Sequence, residues 1–119
     1  MNDILKDKNW SKWKSFPDPR NQEYLFAPIG LGVYQLFNHF EKRYVLFGRG
    51  INVAHRMTSL LPKGLGQGGR NNSKKREYVW ENMEHIQYRT IPFVSEQKMK
   101  DFEMRLKGLN IHIFNESRN

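Results

Sequence analysis

The chain has 119 residues, enough for one domain with one core, and its 20 Lys and Arg against 12 Asp and Glu give a net charge of +8. It contains no cysteine, which excludes disulfides, thiolate metal sites and a cysteine nucleophile. No apolar run approaches the ~20 residues of a membrane-spanning helix, and the opening MNDILKDKNWSKWK lacks the apolar stretch of a signal peptide. Eight Phe, five Tyr and three Trp are enough to build a small core. The charge is uneven: residues 41–80 hold nine basic and two acidic side chains, net +7, while residues 1–40 are net +1 and residues 81–119 are neutral. Such a zone points to a polyanionic partner, nucleic acid first and an acidic membrane surface second, or to a merely basic surface.

In chain order, Ile4, Leu5, Trp10 and Trp13 can line a short helix, and Pro17 and Pro19 require an extended or turned lead-in. The runs Gly32–Phe37 and Arg43–Gly48 are rich in β-formers and read as a hairpin joined by a polar link over 38–42. Asn52 is a good N-cap for a helix in which Val53, Ala54, Met57, Leu60 and Leu61 recur at helical spacing until Pro62. Residues 63–72 carry four Gly in ten and read as a flexible loop or insertion. Ser73 can cap a second helix from Lys74 to about Glu84. His85–Ile91 reads as a third strand, closed by Pro92. Ser95 can cap a last helix over about 96–107, with Met99, Phe102 and Leu106 inward and Gly108 as its end, before an extended piece at Ile111–Phe114. The order β-β-α-α-β-α defines a small mixed α/β (α+β) domain.

Three places carry potential chemistry. The helix opened by Asn52 offers unpaired N–H groups and a partial positive charge at its start, and Arg56 lies one turn in on the same polar face, either as a phosphate clamp or as a solvated surface residue. Glu103 stands four residues after Met99 and three before Leu106, at the edge of an apolar stripe, where a half-buried carboxylate needs a cation. It is either a metal ligand or a flank residue bonded to Lys100 or Lys107. Lys74, Lys75 and Arg76 crowd the first turn of their helix against its dipole, which a bound anion would offset, or which solvent screens. His39, His55, His85 and His112 show no metal-ligand spacing, and the Gly-rich run lacks the Lys-Ser/Thr of a P-loop.

Together these pieces resemble the GIY-YIG nuclease family. Gly32-Val33-Tyr34, with Pro28 ahead of it, matches the first motif, and the second ends at Gly48. Asn52 and Arg56 follow at the family's spacing, and Glu103 on the late helix is followed twelve residues on by Asn115. The match runs from about residue 28 to 116. One position departs from it: Leu46 stands where the family has its second tyrosine, and Tyr44 lies two residues earlier, expected on the same strand face.

The resemblance implies a central three-stranded mixed β-sheet flanked by helices. Residues 1–27 would be an N-terminal extension packed on the domain, and 28–119 the nuclease domain, with a Gly-rich basic insertion at 62–76. It also implies hydrolysis of DNA phosphodiester bonds with one Mg2+ (or Mn2+) per active site, RNA being left open as a substrate. Glu103 would hold the metal. Arg56 would clamp the scissile phosphate, and Tyr34 would act as base or orient the water, with Tyr44 in reach of the site. Asn115 would fix the C-terminal segment. Arg49, Asn52, His55, Lys63, Arg70, Lys74, Lys75 and Arg76 would contact nucleic acid. The expected setting is cytoplasmic, a host's cytoplasm if the chain is virus-encoded, with no membrane partner. A homodimer is one way for a single site per chain to cut both strands. The alternative within the same fold is a module that binds nucleic acid or a protein without cutting.

Overall fold

A computed structural model describes residues 4–16, 30–51 and 73–115. Both β-former runs are strands: β2 (Gly32–Asn38) and β3 (Arg43–Gly50) pair antiparallel. The link between them is built on Asn38, whose Oδ1 accepts from the N–H groups of Phe40 and Glu41 at 3.0 Å each, and on Lys42, which adopts φ 59°. On the other side of β2 lies antiparallel β4 (Ile86–Pro92). Two short strands complete the sheet, β1 (Lys14–Ser15) against β4 and β5 (His112–Phe114) parallel to β3, in the order β1-β4-β2-β3-β5.

The fold is therefore α+β with a mixed sheet, but with five strands where three were expected. The two added strands have two and three residues. β5 falls on the extended piece expected at Ile111–Phe114, whereas β1 is too short for any alternation of apolar and polar residues to mark it in the sequence. Helix α1 (Ser73–Glu81) ends three residues before its expected limit, and a 3-10 turn over Met83–His85 leads into β4. Helix α2 (Glu96–Leu109) starts as expected, with the Ser95 hydroxyl accepting from the Lys98 N–H at 3.3 Å. It runs through Gly108 and stops at Asn110, which takes the left-handed conformation at φ 52°. Near the N-terminus, among the described residues, Ile4–Lys6 forms a 3-10 turn instead of the longer helix expected there. The expected helix over 52–61 and the Gly-rich segment 63–72 lie outside the described residues.

The sheet buries a core on each face. Tyr34, Leu36, Leu46, Tyr88 and Ile86 pack with Val79 of α1, Met83 and Phe16. Val33, Phe47 and Ile91 pack under Met99, Phe102 and Leu106 of α2, the three inward residues expected of that helix, together with Ile4 and Trp10. Each buried aliphatic or aromatic side chain contributes about 1.5–3 kcal/mol.

Two details of β3 decide what its residues can reach. Leu46 pairs with Leu36, yet Tyr44 pairs with Phe37, so Val45 is the extra residue of a β-bulge. Tyr44 thus lies on the Phe37 face, not on the face of Leu46 and Tyr34, which corrects the expected placement. There it packs against Phe37, Trp13 and His112. The second detail is Gly48, opposite Tyr34. A Cβ at Gly48 would stand 2.5 Å from the Tyr34 hydroxyl and 2.6 Å from its ring carbon Cζ. Tyr34 is wholly buried, so the ring cannot swing aside. Gly48→Ala is expected to cost ~3 kcal/mol in chemical denaturation; an unchanged midpoint would show that the ring is free to move.

Candidate active site

The site begins with Glu103. Its place between Met99 and Leu106 turns it onto the sheet, and it is 2 % exposed rather than half-buried. Its partner comes from the sheet: Arg49 of β3 donates from Nε to Oε1 of Glu103 at 2.8 Å. Arg49 pairs across the strands with Val33, so it projects onto the face that α2 covers. A charge-assisted bond of this length offsets part of the cost of burying the carboxylate. Of the two lysines expected as partners, Lys100 pairs instead with Glu96 at 3.1 Å, on the outside of the helix. Arg49, expected as a phosphate contact, is engaged with the carboxylate, while 37 % of its side chain stays exposed.

Tyr34 is placed elsewhere. Its phenol lies over Gly48 in the core under α1, on the sheet face opposite Glu103. Tyr44 shares the Glu103 face but sits five residues along β3 from Arg49, in an aromatic group. Asn115 donates from Nδ2 to the Lys107 carbonyl at 2.9 Å, tying the C-terminal segment to the last turn of the helix that carries Glu103. On α1, Lys74 is exposed and Arg76 partly so, but Lys75 is only 6 % exposed and is turned into the domain, which corrects its reading as a surface cation. Asn52, His55, Arg56, Lys63 and Arg70 lie outside the described residues. Among the expected site residues, the structure thus joins Arg49 to Glu103, sets Asn115 behind them, and leaves Tyr34 and Tyr44 apart.

Among the described residues no three His, Asp or Glu side chains cluster as a metal cage. Mg2+ does not need one, since it is commonly held by one or two carboxylates with water and substrate phosphate completing the shell. Glu103 fits that demand: it is a hard oxygen donor, buried, and already holds a cation at 2.8 Å.

A second polar cluster was not anticipated. Gln35 and Arg89 are opposite one another near the middle of β2 and β4, and both are buried. Arg89 donates from Nε to Gln35 Oε1 at 2.8 Å, and the Gln35 amide nitrogen lies 3.0 Å from Nε2 of His112. Burial pushes the His112 imidazole down to about pKa 4; the neighbouring Asn115 side chain opposes this and the Arg89 charge adds to it. The sequence signal was present: two polar residues interrupt strand runs at positions that face a core.

No protein-family model, no curated protein and no solved structure matches the chain. Among the described residues, no helix is long and apolar enough to cross a membrane.

Proposed function

We propose that the protein is a divalent-metal-dependent endonuclease of the GIY-YIG type, hydrolysing phosphodiester bonds in DNA. The observation that carries this reading is the buried Glu103 carboxylate held by Arg49, one residue beyond the Gly48 that closes the second motif. The first motif meets that glycine directly, through Tyr34. In this reading Glu103 would hold one Mg2+ or Mn2+, which would supply charge neutralisation at the scissile phosphate and leaving oxygen. Arg49, partly exposed, releases the carboxylate and turns its donors to the substrate backbone. Arg56 clamps the scissile phosphate, and the remaining basic side chains of residues 41–80 draw in the polyanion. Tyr34 has no assigned step, because its hydroxyl faces away from Glu103.

A second reading, a non-cutting module that binds nucleic acid or a protein, is favoured by Leu46. Where the family has a tyrosine, this side chain is wholly buried among Leu36 and its neighbours. One assay separates the two. Supercoiled plasmid is incubated with the protein and Mg2+ or Mn2+, beside Glu103→Ala, Arg56→Ala and Tyr34→Phe. The nuclease reading expects nicking that falls at least ~100-fold in the first two variants. Salt-sensitive binding without nicking, unchanged in Glu103→Ala, supports the module instead. Loss of nicking in a folded Tyr34→Phe would return its hydroxyl to the reaction.

A further inference from the structure

We propose that Arg89, Gln35, His112 and Asn115 form a one-way hydrogen-bond relay that fixes His112 as its Nδ1–H tautomer and seats the end of α2, making His112 a positioning residue for Glu103. The relay crosses the sheet face under α2, from β4 through β2 to β5, with Phe47 of β3 packed against the imidazole at 4.7 Å. It starts at a group that can only donate. Arg89 is 7 % exposed and lies between the rings of Trp10 and Trp13, at 4.1 and 4.5 Å, which sets the plane of its guanidinium.

Each orientation follows from the one before. Arg89 Nε donates to Gln35 at 2.8 Å, so the atom it meets is Oε1 and the Gln35 NH2 must face His112. His112 Nε2, 3.0 Å from that NH2, is therefore an acceptor, and the ring proton sits on Nδ1. The alternative tautomer would set N–H against N–H at Gln35, and flipping the amide to relieve this would set N–H against N–H at Arg89. The Asn115 side chain lies beside His112. Its Nδ2 is already committed to the Lys107 carbonyl at 2.9 Å. Nδ1 of His112 and Oδ1 of Asn115 are both buried and without a hydrogen-bond partner in the structure, and the proposed relay pairs them. The chain of donors thus ends on a carbonyl of α2 four residues beyond Glu103, and its start is gripped by the N-terminal segment.

The positioning role rests on the reading of Glu103 as the metal-holding carboxylate; the tautomer does not. The charged and titratable groups around the ring are Arg89 from β4 and Tyr44 from β3, while α2 reaches it through Asn115 and Lys107. Long-range proton–nitrogen NMR of the imidazole at pH 7 is expected to show Nδ1 protonated and Nε2 bare. In Gln35→Glu, the new carboxylate accepts from Arg89 with one oxygen and from Nε2 with the other. His112 should then become an imidazolium, titrating above 6.5 instead of near 4. An Nε2–H tautomer in the parent, or an unmoved midpoint in Gln35→Glu, overturns the relay. For positioning, hydrogen exchange of the Arg49 Nε–H reports its bond to Glu103. His112→Phe and Asn115→Leu should each speed its exchange about tenfold, and unchanged exchange overturns the positioning role. A protein that cuts no DNA would sink the nuclease reading and leave these NMR results standing.

Discussion

Replacing Arg49 by methionine should cost about 3 kcal/mol of stability, and more than Glu103→Gln costs. The asymmetry comes from burial. Glu103 is 2 % exposed and Arg49 is 37 % exposed. Removing the cation leaves a carboxylate deep in the packing of α2 on the sheet without the charge that was 2.8 Å away. Breaking such a pair from the buried carboxylate's partner side is strongly destabilising. Removing the carboxylate instead releases an arginine that already reaches solvent, and glutamine can still accept its hydrogen bond. Urea unfolding of the two variants beside the parent measures the difference, and equal losses would mean that the pair is not buried in solution. The same variant bears on the metal. If Glu103 accepts Mg2+, millimolar Mg2+ should restore part of the stability lost in Arg49→Met and none in Arg49→Met/Glu103→Gln, because only the native state of the single variant gains a ligand.

Acid should destabilise the protein through His112. The folded-state pKa is about 4 against an ordinary 6.5. Between those values the unfolded chain binds more protons than the folded one, so stability falls as pH falls. The contribution is fully present above pH 6.5 and is lost on reaching about pH 4, and a shift of this size corresponds to roughly 3 kcal/mol. Burial is the main cause. Protonation would also place a second N–H against the Gln35 NH2, the arrangement the cluster is built to avoid. Because carboxylates titrate nearby, the measurement is the difference between the parent and His112→Phe, each unfolded by urea at pH 7 and pH 4. The parent should lose about 3 kcal/mol more than the variant. Matching losses would show that the imidazole is protonated in the fold without penalty.

Much of the frame was legible from local pattern. The hairpin, the third strand, the Ser95 cap and the inward row Met99, Phe102, Leu106 all follow from alternation, helical spacing and capping chemistry. The misses have separate physical reasons. The edge strand β1 is defined by its neighbour, since two residues carry no periodicity of their own, and for β5 the extended piece was legible but its parallel pairing with β3 was not. Gly108 does not stop its helix because Asn110 provides the left-handed residue two positions later. For Glu103, helical spacing revealed that the carboxylate turns toward the core, but the choice of partner lay 54 residues away on another element. Sequence neighbours such as Lys100 were the only candidates a local reading could supply. For Gln35, Arg89 and His112 the polar interruptions of the strands were legible, but their mutual pairing was not, because the three are distant in the chain and adjacent only once the sheet forms.

The bulge at Val45 changes what distance along the chain means. On a regular strand, residues two apart are interchangeable in direction, and a side chain lost at one position can be supplied from the next in its row. Here the row is interrupted: the side chains of Tyr44 and Leu46 are separated by the thickness of the sheet. A tyrosine displaced by two positions from Leu46 is therefore not a near neighbour that could lean across. It belongs to a different compartment, among Trp13, Phe37 and His112, and any role it has is owed to that company.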